Sequence, residues 1–461
     1  MEDNFGGAGG QPQTDAVKSL RVSRRDFFAR ALAGSSLVVA GVPLQAWAGV
    51  RAGTSTRSHA SENRLHGPLN VQVSHGGIPG RGHFEPSLAV NPRNPRNLLA
   101  ACDLGPDAYV SFDGGLSWRS GGVLRLPPQS GGGNMSAAFD STGRGYVCGS
   151  FGTPTGTSVL VWRTDDGGRS FTRASAVGAA ANLDRAWLAT DPHSPGVIHV
   201  VWSQGNASGL TTDVRYARST DAGRTFDAPR TIVHHSAGLG NPIVACGPAG
   251  TAYVLYSAGK GAVGRVAPDS KSTVTAVCSH DRGQTFQPPI TLGRSTDLVA
   301  FPGLRGGTGS ALPAIVADPH SGLVCAAFID HNAGASHADV LLATSYDAGR
   351  TWSRATPVTP RDQVIYFQPE VAIDNAGRIG VMAFAINQGV VNVVLMTSNP
   401  GSLHFNAPIT VSDHSFDPAE MNYQLGDYQA LATTPGTFHP IWSQTRTRQL
   451  QLFTAALPAG R

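Results

Sequence analysis

Ser345-Tyr346-Asp347-Ala348-Gly349-Arg350-Thr351-Trp352 carries the pattern on which the fold turns: a small hydroxyl residue, an aspartate two later, a glycine two after that, then Ser or Thr and an aromatic. The same octapeptide occurs at 111–118, 164–171, 219–226 and 279–286, with its aspartates at Asp113, Asp166, Asp221 and Asp281. Successive aspartates stand 53, 55, 60 and 66 residues apart, the period of a four-stranded propeller blade with variable loops. Each copy reads as a turn in which the carboxylate accepts backbone N–H groups, glycine supplies φ > 0 and the aromatic plugs into the blade. A sixth copy at 398–405 has lost the aspartate and the second glycine but keeps its flanks. Its continuation Asn406-Ala407-Pro408-Ile409-Thr410-Val411 matches Asp227-Ala228-Pro229-Arg230-Thr231-Ile232.

Working outward from the repeats, seven runs have the character of inner strands: 86–90, 135–139, 186–190, 242–246, 313–317, 369–373 and 429–433. Most are followed by a polar turn and a second strand ending in an aromatic, such as Trp202, Tyr256, Phe328, Phe384 or Trp442. The expectation is an all-β chain forming one β-propeller of seven four-stranded blades, with six blades as the alternative if one unit lies outside the ring. The seventh unit shows only three strands, the last over 449–454, while a spare strand lies at 69–73. Pairing that spare strand as the outer strand of the last blade closes the ring and removes an open edge.

Composition fits this architecture. Glycine makes up 56 of 461 residues, well above the usual ~7%. Charged residues are only 14% of the chain and hydrophobic ones 41%, which excludes disorder and coiled coil. The formal net charge of +4 is small and dispersed, so it gives no footprint for nucleic acid or an anionic membrane. Lys18, Lys260 and Lys271 are the only lysines; arginine is the default cation, and a single arginine carries little functional information. Cys102, Cys148, Cys246, Cys278 and Cys325 each sit in an apolar strand-like run without zinc spacing, and read as buried thiols. No metal or cofactor is called for.

The first 48 residues read as an address. Ser23-Arg24-Arg25-Asp26-Phe27-Phe28 precedes a mildly apolar run over 31–42 and then Ala46-Trp47-Ala48, a small-x-small cleavage site. The segment resembles a twin-arginine signal, implying export of the folded protein to the periplasm or beyond. Residues 49–68 read as a flexible leader and 69–461 as the propeller. The apolar run is too short for a membrane span, which needs ~20 residues, and no later stretch qualifies. Oligomeric state is not encoded in any visible motif.

The octapeptide is the Asp box, or BNR repeat, and the chain resembles the sialidase superfamily of β-propellers. Gln424-Leu425-Gly426-Asp427-Tyr428-Gln429 is similar to a stretch of bacterial exo-sialidase-like secreted proteins. The resemblance places the boxes between third and fourth strands, on the face away from the ligand, so Asp113, Asp166, Asp221, Asp281 and Asp347 are structural. Chemistry then belongs to the loops that lead into inner strands and out of second strands. These collect Glu85, Asp184, Asp427 and Tyr428 as catalytic candidates, and Arg81, Arg185, Arg305, Trp187, Gln368 and Asp330 as substrate-binding candidates, with Asn134 and Asn241 on the same rim. Sialidase chemistry implies three arginines on a substrate carboxylate, here Arg81, Arg185 and Arg305. It also implies an acid, Asp103 or Asp107, and a tyrosine nucleophile, Tyr423 or Tyr428. The chain departs from the family at Arg81-Gly82-His83-Phe84-Glu85-Pro86, where sialidases carry Arg-Ile-Pro. Plain structural readings stand beside these: Gly426 and Asp427 as a turn, Tyr428 as inter-blade packing, and Asp184-Arg185 as an ion pair beside a core Trp187.

Three functions follow as alternatives. An exported sialidase-like glycoside hydrolase would carry paired carboxyl groups at the channel mouth. A non-catalytic propeller binding glycan or protein would present aromatics and amides there instead. An envelope assembly or scaffold factor would offer a broad flat surface.

Overall fold

The computed structural model describes residues 69–76, 82–103, 107–126, 131–153, 156–172, 175–206, 212–235, 239–259, 271–296, 312–330, 337–417, 425–445 and 449–459. The signal and leader assigned to 1–68 lie outside these residues, as do Arg81, Arg305 and Tyr423. Seven antiparallel sheets follow one another along the chain, six with their four strands in sequence order. In blade 1 these are Ser87–Val90, Leu98–Ala101, Asp107–Ser111 and Arg119–Val123. The inner strands of blades 2 to 7 are Gly131–Phe139, Leu183–Thr190, Leu239–Cys246, Ala314–Ala317, Ile365–Ile373 and Ala430–Thr434. The protein is therefore a seven-bladed β-propeller. Among the described residues the one helical element is a 3-10 turn at Pro248–Gly250, so no helix there is long and apolar enough to cross a membrane.

The ring closes as the spare strand requires. Val71 pairs with Thr454 and Gln72 with Phe453, making Val71–Gln72 the outer strand of blade 7. The Asn70 carboxamide ties the same strand sideways to blade 6, donating to Val411 O (2.9 Å) and accepting the Asp413 N–H (2.7 Å). The end of the chain differs from the three-strand expectation. Leu457–Pro458 pairs with Thr437 and Phe438 of the second strand, continuing the line of the third strand beyond a break.

The boxes work as local chemistry predicts. Asp347 Oδ1 accepts the Ser345 hydroxyl (2.9 Å) and the Thr351 N–H (2.9 Å), while Oδ2 accepts the Thr351 hydroxyl (2.6 Å). The Thr351 hydroxyl and N–H hold this carboxyl down at about 2. Asp113, Asp166, Asp221 and Asp281 repeat the bonds. All five lie between third and fourth strands. In an antiparallel blade that corner shares a face with the first-to-second corner, where Asp140, Asp191, Asp318 and Asp374 make similar turns. On this underside His193 of blade 3 reaches Pro319 O of blade 5 (2.9 Å).

Packing energy lies between blades. Leu98, Tyr109 and Trp118 of blade 1 share a core with Ile441 and Leu452 of blade 7, and a larger cluster joins blades 5, 6 and 7. The five cysteines are thiols and four are buried. The second glycine of a box seats it on the preceding blade. At Gly349 (φ +78°) a Cβ would stand 2.5 Å from Cys278 Sγ and 3.0 Å from the Tyr253 ring. Gly349→Ala is therefore expected to cost roughly 2–4 kcal/mol, joining a left-handed penalty to overpacking. Gly114→Ala, with φ +82° but open space around the new Cβ, should cost only about 1 kcal/mol. Urea melts of the two variants check this; equal losses would mean that the box is not tightly seated.

Candidate active site at the inner-strand rim

The inner strands do not begin as regular strands. Glu85 (φ 54°), Asn134 (53°), Arg185 (40°), Asn241 (50°) and Gln368 (48°) all adopt left-handed backbone at the equivalent position in blades 1, 2, 3, 4 and 6. Four of these positions coincide with a β-bulge: Gly133/Ser136, Asp184/Trp187, Gly240/Ile243 and Phe367/Glu370. Glu85, Asn241 and Gln368 also precede prolines, which favour extended backbone at the residue before them. Non-glycine residues in this region cost of order 1 kcal/mol or more each, and such strain collects at functional sites. Here it re-aims polar side chains at the mouth of the ring.

Hydrogen bonds then lock the rim from blade to blade. Gln368 donates to Gly426 O (2.6 Å) and accepts from the Gln429 amide (2.8 Å), while Glu85 accepts the Asp427 N–H (3.1 Å). Gly426, at φ +83°, has no room for a Cβ: one would lie 2.6 Å from Glu85 Cγ. Asn134 holds two carboxylates at once. Its backbone N–H donates to Asp103, and its side-chain amide donates to Asp184 Oδ1 (3.1 Å), which also accepts the Arg185 N–H (2.8 Å).

Arg185 is the centre of the constellation. It is 1% exposed, and its Nε and Nη1 have no hydrogen-bond partner among the described residues. Its guanidinium lies 4.3 Å from the Tyr428 ring and 5.1 Å from the Trp187 ring, and those two rings meet edge to face at 5.4 Å. Carboxyl groups surround it. Burial, then the charges of Asp103 and Asp427, push Glu85 well up, with Arg185 opposing. Burial lifts Asp103 to about 7 against the Asn134 N–H, with Asp184 adding to the rise. Burial raises Asp184 too, opposed by the N–H and charge of Arg185. Glu370 goes to about 8 by burial, again opposed by Arg185. One cation cannot neutralise so many carboxylates, so several of them stay protonated near neutral pH. Burial, then Glu85 and Asp103, also push Tyr428 well above its ordinary value.

The structure thus brings Glu85, Asp184, Asp427, Tyr428, Arg185 and Trp187 into one constellation. Gln368 stands beside it, but as a positioning residue, because both ends of its amide are engaged within the protein. Asp330 accepts the Thr296 hydroxyl (2.9 Å) from the outer strand of blade 4, which places it at the seam between blades 4 and 5. Glu370 was not among the candidates. Its signal was a lone carboxyl two residues past Gln368 in an otherwise apolar inner strand. Glu370 and Trp187 line an axial cavity of about 250 Å³ between the inner strands. Another hollow, about 220 Å³, lies between blades 3 and 4 beside Arg218 and Arg230, whose guanidinium groups already hold backbone carbonyls. Among the described residues no three His, Cys, Asp or Glu side chains converge as metal ligands.

Comparison with known proteins agrees with the architecture. An ulvan lyase of polysaccharide lyase family PL25, solved with a bound GlcA(1-4)Rha3S repeat, aligns over 84% of this chain and 96% of its own (13% identity, TM-score 0.51). An α-L-arabinofuranosidase of Fusarium graminearum aligns over 72% and 97% (16% identity, TM-score 0.47). A Hadza microbial sialidase aligns over 78% and 73% (13% identity, TM-score 0.42). The likeness to the ulvan lyase, at 13% identity, is one of fold. No curated protein sequence matches the chain. The BNR repeat-like domain matches residues 196–437, just over half of the chain, and with five Asp boxes at the corners of its blades the protein belongs to that family of sialidase-type propellers.

Proposed function

We propose that the protein is an exported glycoside hydrolase that cleaves an acidic glycan at the rim around Arg185. The observation that carries this reading is the carboxyl pair Asp103 and Asp184, both gripped by Asn134, with Asp184 beside a buried arginine whose Nε and Nη1 have no hydrogen-bond partner among the described residues. Two carboxyl groups in unequal surroundings are the usual equipment for glycosidic cleavage. Asp103, held near 7, keeps a proton that it can give to the leaving glycosidic oxygen. Asp184 takes two N–H donors and lies next to Arg185, so it is the member of the pair best supported as a carboxylate, the base or nucleophile. The Nε–H and Nη1–H of Arg185, which find no partner among the described residues, suit an anionic oxygen of the substrate. Tyr428 serves better as an aromatic platform than as a nucleophile, because its surroundings oppose the phenolate. That an ulvan lyase of similar fold is solved with a bound GlcA(1-4)Rha3S repeat supports the substrate class.

In a screen of acidic fluorogenic glycosides, Asp103→Asn and Asp184→Asn should each lower kcat at least about a hundredfold. Wild-type turnover should fall about tenfold per unit above pH 7. Unchanged kcat in both variants would sink the assignment, and sugar binding without turnover would select the non-catalytic reading.

Glu370 gives a test on stability. A carboxyl raised from its ordinary value to about 8 contributes fully below the unfolded pKa, and that contribution is lost as pH rises toward 8. Glu370→Gln should therefore gain on wild type between pH 5 and pH 8.5, by on the order of 3 kcal/mol in urea melts. An equal difference at both pH values would show that this carboxyl is ionised in the folded protein.

Export through the twin-arginine route is part of the proposal and rests on Arg24-Arg25 and the segment after it. Replacing both arginines by lysine should leave the full-length protein in the cytoplasm, as fractionation would show. Undiminished export of that variant would remove this part.

A further inference from the structure

Four of the five left-handed rim residues have a use inside the protein. Glu85 holds the Asp427 N–H, Asn134 grips Asp103 and Asp184, Arg185 stacks on Tyr428, and Gln368 spans Gly426 and Gln429. Asn241 is the exception. Its backbone pays for φ 50° ahead of Pro242, yet its half-buried carboxamide has no hydrogen-bond partner among the described residues. Its bulge, Gly240/Ile243, matches Asp184/Trp187 in the adjoining blade 3, so Asn241 stands at the same level of the rim as Arg185.

We propose that Asn241 is a ligand contact, whose carboxamide pairs with a hydroxyl or acylamino group on an uncharged part of the bound sugar. The inference rests on the reading of this rim as a glycan site. Asparagine tolerates left-handed backbone better than most residues, and a purely conformational role would account for the turn. Glycine, however, fills that role with no strain. A carboxamide kept where glycine would relax the backbone points to something outside the protein. The chemistry selects the partner: two donors and one acceptor on a neutral group complement a hydroxyl, which both donates and accepts. Arg185, one blade away, is the group suited to the anionic part of the same sugar. Blade 4 would thus read the neutral flank of a ligand whose charge is read by blade 3.

The test is calorimetric titration of the purified protein with D-glucuronate, N-acetylneuraminate and arabinobiose, beside Asn241→Gly and Asn241→Asp. Asn241→Gly should melt at the same or a higher temperature than wild type and bind the best of the three sugars about five- to twenty-fold more weakly. Asn241→Asp keeps the acceptor but loses the amide donors, and should also weaken binding. An unchanged Kd in Asn241→Gly, a lowered Tm in that variant, or binding of none of the three sugars would overturn the proposal. Because binding is read directly, the outcome is separable from that of the hydrolase reading. A wild type that binds without turnover sinks hydrolysis alone, and one that hydrolyses with KM unaltered in Asn241→Gly sinks only the role of Asn241.

Discussion

A propeller is complete only when its last blade has four strands, and here two residues from the other end of the chain supply the fourth. Val71 and Gln72 pair with Thr454 and Phe453, and Asn70 anchors them to blade 6. This pairing does more than remove an edge. It brings the segment that begins blade 1 against the segment that begins blade 7, which is how Glu85 meets Asp427 across a sequence separation of 342 residues. The rim constellation straddles the joint, drawing Glu85 and Asp103 from the first blade and Asp427 and Tyr428 from the last.

The second constraint is backbone strain. Inner strands of a propeller turn one edge to the axis, and regular alternation would send half of their side chains into the blade packing. A bulge with one left-handed residue breaks that alternation at the mouth of the ring. Packing and rim hydrogen bonds offset the cost, and desolvation of the carboxyl groups around Arg185 adds to it. The lower parts of the same strands, such as Val371 and Ala372, are small and apolar and simply pack. Stability comes from the seams between blades, while the rim spends some of it.

This division explains what could be read from the sequence. The Asp box is a local device: its bonds span four residues, so hydroxyl, aspartate, glycine and aromatic at fixed spacing announce the turn wherever it occurs. Blade number and ring closure followed from counting such turns and finding an orphan strand. The rim was legible only in part. Topology told which loops reach the mouth, which gathered Glu85, Asp184, Arg185, Trp187, Asp427 and Tyr428. It could not tell that Gln368 would spend its amide on Gly426, or that Asp330 would turn to Thr296. The role of Glu370 was hidden for the same reason: burial by six other blades, not its neighbours in sequence, lifts its carboxyl to about 8.

The contact between His193 and Pro319 on the underside has its own consequence. It ties corners of blades 3 and 5, two blades that are not neighbours in the ring. Such a bond resists a change of angle between those two blades that the seams on either side of the intervening blade would each admit in part.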